Sequence, residues 1–127
     1  MNAPAISLED LRKVYGTTVA VEDLCLEIGQ GEFFGLLGPN GAGKTTTINA
    51  ICGLVKPTSG RVLVKGLDAV RQYRRVHKMI GIAFQELVLD ARFLNVREIL
   101  VYQAGYFGIP PRAAKPRADE LLNKFEL

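Results

Sequence analysis

The sequence Gly38-Pro39-Asn40-Gly41-Ala42-Gly43-Lys44-Thr45-Thr46 decides the fold. It satisfies the phosphate-loop pattern G-x-x-x-x-G-K-[ST], whose glycines let the backbone bend and come close to an anion. Successive backbone N–H groups can then point at phosphate oxygens, and a helix that starts in the loop adds the positive end of its dipole. The sequence therefore predicts a site for a nucleoside triphosphate.

The side chains of this loop have separate predicted tasks. Lys44 supplies a positive charge that can reach the β- and γ-phosphates, and we expect it to take part in catalysis. The Thr45 hydroxyl can ligate Mg²⁺, and Thr46 can bond a neighbouring phosphate oxygen. The alternative is a glycine-rich surface turn with a solvated lysine. The predicted nucleotide contacts are Gly38, Asn40, Gly41, Ala42, Gly43, Lys44, Thr45 and Thr46.

The residues on either side of the loop predict its structural context. Phe33 to Leu37 is a short continuous apolar run, which is typical of a strand covered on both faces in a parallel sheet. Lys44 to Ile51 suits a helix, which Gly53 closes. Strand, glycine loop and helix in this order are the context that a true phosphate loop requires.

The segments around this unit predict further strands. Apolar and polar residues alternate between Ile6 and Ile28, and Gly16-Thr17-Thr18 marks a turn between two strands that pair antiparallel. After the helix we expect a strand at Arg61 to Val64 that ends at Gly66. A polar stretch follows, and then a second apolar strand at Ile80 to Phe84.

The last third of the chain predicts helices. Asn95 and Glu98 form a capping-box pattern, and an apolar helical face follows as far as Gly108. Beyond the prolines at positions 110, 111 and 116 we expect another amphipathic helix, at Ala118 to Phe125. The sequence thus predicts one α/β domain. Its N-terminal antiparallel β layer and phosphate-loop core occupy about residues 1–90, and the start of an α-helical subdomain occupies about residues 91–127.

Composition agrees with this interpretation and excludes other classes. Of the 127 residues, 48% are hydrophobic and 23% are charged, as in one soluble globular domain. The net charge of +3 and the scattered basic residues give no nucleic-acid footprint. No apolar run approaches the roughly 18 residues of a transmembrane helix and the N-terminus lacks a signal pattern, so we expect a cytosolic chain. Cys25 and Cys52 match no metal or redox spacing and are expected to be buried thiols.

Four stretches of the chain occur in an order that one protein family shares. They are Lys13-Val14-Tyr15-Gly16, the loop Gly38 to Thr46, Gly53-Leu54-Val55-Lys56-Pro57-Thr58-Ser59-Gly60, and Ile80-Gly81-Ile82-Ala83-Phe84-Gln85. Together they resemble the nucleotide-binding domain of ATP-binding cassette (ABC) transporters. The resemblance covers the whole chain, matches the first half of the family's domain, and implies binding of ATP and Mg²⁺.

The resemblance also implies roles for two residues outside the loop. Tyr15 corresponds to the family's aromatic residue that stacks on adenine, and the alternative is a strand aromatic that fills the core. Gln85 corresponds to the glutamine of the Q-loop, which in the family approaches Mg²⁺ and the attacking water and senses the membrane subunit. It is therefore a predicted catalytic and metal-site residue, and the alternative is an ordinary exposed glutamine.

Three other features resemble functional motifs but are given structural interpretations. Leu87-Val88-Leu89-Asp90 looks like a Walker B strand, yet Ala91 stands where the family has its catalytic glutamate, so we do not assign Asp90 to the metal site. His77 is expected to be a solvated surface residue. The basic group Arg71, Arg74, Arg75 and Lys78 is expected to be a solvated helix face, with contact to anionic lipid or a partner as the alternative.

The family's signature motif, Walker B, D-loop and switch histidine would lie beyond Leu127. We therefore expect the chain alone to be marginally stable and to bind ATP without hydrolysing it. In the intact family protein, two such domains close on two ATP molecules and drive transmembrane permease subunits from the cytoplasmic face of the membrane. The resemblance favours subfamilies that export drugs or antibiotics. The alternatives are a soluble, non-transport ABC ATPase and a nucleotide-binding fragment without turnover.

Overall fold

The alternating residues near the N-terminus form an antiparallel hairpin in the computed structural model, which describes residues 3–83 and 93–127. Strand β1 spans Ile6–Tyr15 and strand β2 spans Thr18–Ile28. The connection is Gly16-Thr17, with Tyr15 paired to Thr18 and Gly16 at a φ of 57°. A two-residue turn with glycine in this conformation matches the twist of an antiparallel pair. The predicted hairpin is confirmed.

The remaining elements follow in two compact units, which meet between Gly81 and Ile82 in the sequence. The first unit adds helix α1 (Lys44–Ile51), strand β3 (Ser59–Val64), strand β4 (Leu67–Asp68) and helix α2 (Tyr73–His77). The second unit contains helix α3 (Val96–Tyr106) and helix α4 (Pro111–Lys124). The predicted strand after Pro57-Thr58 and the α/β fold class are therefore confirmed.

One antiparallel sheet organises the first unit, with strand order β2-β1-β3-β4. Strand β1 is irregular opposite β3, where Asp10 adopts a φ of 47° and the register shifts between Glu9 and Arg12. A Cβ atom at Gly60 would overlap the backbone of Asp10. The bulge therefore requires glycine at the facing position of β3.

The core of this unit lies between the sheet and the two helices. From α1, Thr47 and Ala50 are buried at helical spacing, and from α2 the buried residue is Val76. Helix α1 ends as predicted: Gly53 has a φ of 69° and its N–H donates to the carbonyl of Ala50 at 3.1 Å. The core cluster consists of Leu8, Leu11, Val21, Ala50, Val62, Val64, Ala69 and Val76.

Two segments predicted as strands have no regular secondary structure where the structure describes them. Residues 33–37 and 80–83 have no regular secondary structure, and Phe33 and Leu37 are almost fully exposed. The prediction of a covered strand at Phe33 to Leu37 was therefore wrong for this chain. So was that of a strand from Ile80, whose last residue, Phe84, lies outside the described residues. A strand forms only beside a hydrogen-bonding neighbour, and among the described residues no strand pairs with either segment.

The helical unit confirms one prediction and corrects another. The Asn95 side chain accepts from the N–H of Glu98, and the Glu98 carboxylate accepts from the N–H of Asn95, both at 2.9 Å, so the capping box is present. Helix α4 begins at Pro111 rather than Ala118. Proline fits the first helical position, because the N–H it lacks would have no partner there. Pro116, inside the helix, removes only one backbone bond and does not end it.

No helix within residues 3–83 and 93–127 has both the length and the apolar character needed to cross a bilayer.

Candidate functional site

The glycine loop lies directly before helix α1 and has an unusual backbone. Gly41 and Gly43 adopt φ values of 86° and 82°, in the left-handed region that favours glycine. The N–H of Ala42 donates to the carbonyl of Pro39 at 3.2 Å and closes a turn within the loop. The loop therefore has the bent backbone that the phosphate-loop pattern predicts.

Gly43 joins this loop to the sheet. It is the N-cap residue of α1, and a Cβ atom at this position would overlap the carbonyl oxygen of Ala20 and press on a methyl group of Val21. Both of those residues belong to β2. Only glycine permits this approach, so the fixed glycine before the lysine positions the start of the helix against the strand.

The Lys44 ammonium group lies over the loop. Its Nζ atom donates to the carbonyl oxygens of Gly38 at 2.5 Å and of Pro39 at 2.6 Å. Thr45 is exposed, whereas Thr46 is half-buried. One full positive charge and one accessible hydroxyl thus lie side by side at the start of the helix.

The N-terminus of α1 leaves donors for an anion. Among the described residues no side chain caps this end, and no acidic residue occupies the first turn. The first N–H groups of a helix have no intrahelical partner and carry partial positive charge. Bent glycines, an uncapped helix end, a lysine and a hydroxyl form a donor set that fits a phosphate chain with a hard cation.

Tyr15 stands at the end of β1, immediately before the hairpin turn. It is 47% exposed, which contradicts the alternative that it fills the core. The Nζ atom of Lys13 lies 4.7 Å from the centre of its ring. The contact of Tyr15 with adenine stays a prediction.

The turn at Pro57-Thr58 is tied to this end of β1, a role that the local sequence of the turn does not indicate. The N–H of Thr58 donates to the carbonyl of Arg12 at 2.8 Å, and its Oγ1 accepts from the N–H of Val14 at 3.0 Å. Lys13 Nζ also donates to the carbonyl of Lys56 at 2.9 Å. The stretch Gly53 to Gly60, one of the four that resemble the ABC family, thus fixes the end of β1 that carries Tyr15.

Cys52 agrees with the sequence-based expectation, Cys25 does not, and His77 agrees only in part. Cys52 is buried, and burial raises the pKa of its thiol. Cys25 is exposed, with Sγ 3.1 Å from Oδ1 of Asp10, so its predicted burial was wrong. It faces outward because alternate positions of β2 point away from the core. His77 is exposed as predicted, but its Nε2 also lies 2.6 Å from the carbonyl oxygen of Cys52.

The remaining predicted site residue, Gln85, lies outside the described residues, as does Asp90. The four basic side chains at positions 71, 74, 75 and 78 are exposed, as expected, but only Arg74 and Arg75 belong to helix α2, so the predicted helix face is wrong for Arg71 and Lys78.

The bent glycine loop, the lysine that bonds to its carbonyl oxygens and the helix that follows it define a phosphate-loop nucleotide-binding domain. The sequence profile of the ABC transporter family matches residues 21–127, and the chain therefore belongs to that family.

Several proteins are similar to this chain over nearly all of its length. The daunorubicin resistance ATP-binding protein DrrA2 of Streptomyces coeruleorubidus is 40% identical over 127 residues, which are 100% of this chain and 39% of that protein. The methionine import ATP-binding protein MetN of Geobacillus kaustophilus is also 40% identical, over 92% of this chain and 36% of its own length. The chain thus spans about two-fifths of these relatives.

Solved structures show the same fold. An ATP-binding subunit of an ABC transporter superposes with a TM-score of 0.83 at 28% identity, covering 97% of this chain and 51% of that one. CbiO1 from Clostridium perfringens, part of the ABC transporter complex cbiONQ, superposes with a TM-score of 0.76 at 26% identity, over 98% of this chain and 51% of its own.

Proposed function

We propose that this chain binds ATP with Mg²⁺ through the loop Gly38 to Thr46. The observation that carries the proposal is the loop geometry: Gly41 and Gly43 in left-handed conformations, and the Lys44 ammonium held at the loop by two of its carbonyl oxygens. Family membership supports ATP as the nucleotide.

Each residue of the site has a proposed task. The ammonium group of Lys44 exchanges its two carbonyl acceptors for β- and γ-phosphate oxygens, which carry full negative charge. The loop amides and the first N–H groups of α1 bind the remaining oxygens. The Thr45 hydroxyl would hold Mg²⁺, which would neutralise charge on the phosphate chain. Tyr15 would stack on adenine, and Gln85, which corresponds to the family's Q-loop glutamine, would orient the attacking water.

We further propose that the chain is part of the ATP-binding subunit of an ABC transporter that exports a small molecule. The names of the relatives support transport. Daunorubicin resistance in the name of DrrA2 favours export, whereas MetN, at the same identity, is an import protein. Such a subunit pairs with a second nucleotide-binding domain and with transmembrane permease subunits, at the cytoplasmic face of the membrane.

A second candidate function for the 127 residues alone is nucleotide binding without turnover. Hydrolysis needs a positioned water and a group that orients or deprotonates it. The run Leu87-Val88-Leu89-Asp90 resembles Walker B, but the residue after it is Ala91 and not a glutamate, so the run supplies no such group. These residues therefore supply the groups that bind the phosphates, and the second candidate function is binding without hydrolysis.

The test compares binding and turnover of purified wild-type chain, Lys44→Ala and the matched control Lys124→Ala. Lys124 is an exposed residue at the end of α4. A fluorescent ATP analogue with Mg²⁺ measures affinity, and phosphate release measures turnover. We expect Lys44→Ala to weaken binding by about 10- to 100-fold, as loss of a charged phosphate contact does, with Lys124→Ala unchanged. Equal affinity of all three proteins would contradict the proposed site, and steady turnover that Lys44→Ala abolishes would contradict the second candidate.

A further inference from the structure

Lys13 holds its ammonium group against the ring of Tyr15. The Nζ atom lies 4.7 Å from the ring centre and donates to the carbonyl oxygen of Lys56 at 2.9 Å. Residues two apart in a strand project on the same side, which explains how these two side chains meet. The ammonium is therefore fixed at two points: the tyrosine ring and a backbone oxygen of the turn that follows α1.

The position of this charge has a consequence for the ring. A cation within about 6 Å of a ring centre is attracted to the electron-rich face of the aromatic system. That contact holds the Tyr15 side chain in one orientation and covers one of its faces, while the side chain as a whole remains 47% exposed. The charge also draws electron density toward itself, which makes the opposite face a better partner for an electron-rich ring.

We propose that Lys13 is a positioning residue for base recognition: it covers one face of Tyr15 and presents the other to the purine of the nucleotide. The proposal rests on the proposed function, because it takes Tyr15 as the residue that stacks on adenine. In this proposal Lys13 acts on base recognition through the Tyr15 ring and not by a contact of its own with the nucleotide. Its contribution lies in a ring that is ordered before the base arrives, so that less side-chain entropy is lost on binding.

A purely structural role for Lys13 makes a different prediction. The bond to Lys56 ties the end of β1 to the turn, and Thr58 makes two further bonds between the same segments. If Lys13 acted only as a tie, removing the Thr58 tie would loosen the same strand end and weaken base-carrying ligands as much as removing Lys13 does. If Lys13 acts through the tyrosine ring, its loss weakens ligands that carry a base and loss of the Thr58 tie does not.

The experiment measures the affinities of the full chain for MgATP and for magnesium tripolyphosphate, which has the phosphates without the base, by calorimetry. We expect Lys13→Met, which keeps an apolar side chain without the charge, to weaken ATP binding by about two- to five-fold, the size of an exposed cation–π contact. Tripolyphosphate affinity stays unchanged. Lys13→Arg, which retains the cation, restores ATP affinity, and in a Tyr15→Leu background Lys13→Met has no further effect.

Equal weakening of both ligands by Lys13→Met would overturn the inference, and so would an undiminished effect in the Tyr15→Leu background. The tie to the turn is tested separately with Thr58→Val, which removes the acceptor for Val14. We expect it to leave the ratio of the two affinities unchanged, and a change as large as that from Lys13→Met would favour the structural role. A wild-type chain that binds neither ligand would contradict the proposed function itself, and the inference with it.

Discussion

At the scale of single residues, Gly43 combines two requirements that no other residue type meets. Its φ of 82° is one that residues with a Cβ atom rarely adopt, and its α-carbon stands against the carbonyl of Ala20. Gly41 has the first requirement alone, with nothing near its absent Cβ, and Gly35 has neither. These three glycines therefore differ in how many of the two requirements they have: Gly43 has both, Gly41 has one and Gly35 has none.

The difference between these three glycines gives a prediction for stability and binding. Gly35→Ala is expected to be nearly neutral, and Gly41→Ala to cost about 1 kcal/mol for the backbone conformation alone. Gly43→Ala is expected to cost about 3 kcal/mol or more, because the overlap with β2 adds to the strain, and to weaken ATP binding most. Urea unfolding and nucleotide titration of the three variants measure both effects. Similar losses at Gly43 and Gly41 would show that the close approach to β2 is unimportant.

His77 gives a second prediction at this scale. Its ring bonds the carbonyl of Cys52, the C-cap residue of the helix that starts at the loop. His77→Ala is expected to lower the free energy of unfolding by about 1 kcal/mol, the usual net contribution of one hydrogen bond. Lys78→Ala, at the exposed neighbouring position, is the control. Equal unfolding midpoints for the two variants would contradict a capping role for His77.

The residues that could be predicted from the sequence are those whose meaning is local. The glycines, Lys44 and Thr45 are fixed by spacing within one loop, so their arrangement was predictable. The contacts of Lys13 with Lys56 and of His77 with Cys52 join segments 43 and 25 positions apart. No local pattern encodes such pairs, and they become visible only when the sheet brings their segments together.

At the scale of elements, the two C-terminal helices are joined by one ion pair. Arg97 donates to both carboxylate oxygens of Asp119, Nε to Oδ1 at 2.5 Å and Nη2 to Oδ2 at 2.8 Å. Hydrogen bonding to Arg97 lowers the pKa of Asp119, and bonding to Asp119 raises the pKa of Arg97. Because both groups are at the surface, solvent and salt weaken the pair.

The lowered pKa of Asp119 predicts how the melting temperature of the chain changes with pH. A carboxylate whose pKa is lower in the folded state stabilises that state above its ordinary pKa and loses the contribution as pH falls through the lowered value. The wild-type chain is therefore expected to melt at a higher temperature than Asp119→Ala at neutral pH, and the difference closes as pH falls below about 4. Thermal unfolding followed by circular dichroism measures this, with Glu120→Gln as the control. A gap independent of pH would indicate a packing effect instead.

A helix or strand could be predicted where the residues that specify it lie within the element or next to it. The hairpin turn, the closing of α1 and the capping box of α3 all depend on neighbouring residues, and all are confirmed. The apolar run at Phe33 to Leu37 reads as a strand because a covered strand is apolar, but pairing depends on another segment, which the run does not specify. The predicted start of α4 at Ala118 is too late, because a proline usually ends a helix, whereas Pro111 occupies the first turn of α4.

At the scale of the whole molecule, the segment before the loop leaves apolar side chains in water. Phe33, Phe34 and Leu37 are all exposed. Apolar residues this close together are expected to drive self-association. The double variant Phe33→Ser, Leu37→Ser should therefore sediment as a smaller species than the wild-type chain at the same concentration. Phe125→Ser, at an exposed aromatic of the helical unit, is the control, and an equal change with that variant would contradict a role for the segment.

A titration of the ¹⁵N-labelled chain with MgATP, followed by its backbone amide resonances, shows directly whether the loop binds the nucleotide. We expect saturable shifts of the amides of Gly41, Gly43, Lys44 and Thr45, and much smaller shifts at the same MgATP concentration in Lys44→Ala. Ala114, in the helical unit, serves as a reference outside the unit that carries the loop. ATP that leaves the loop amides unmoved, or that shifts them equally in Lys44→Ala, would contradict the claim that this loop binds the nucleotide.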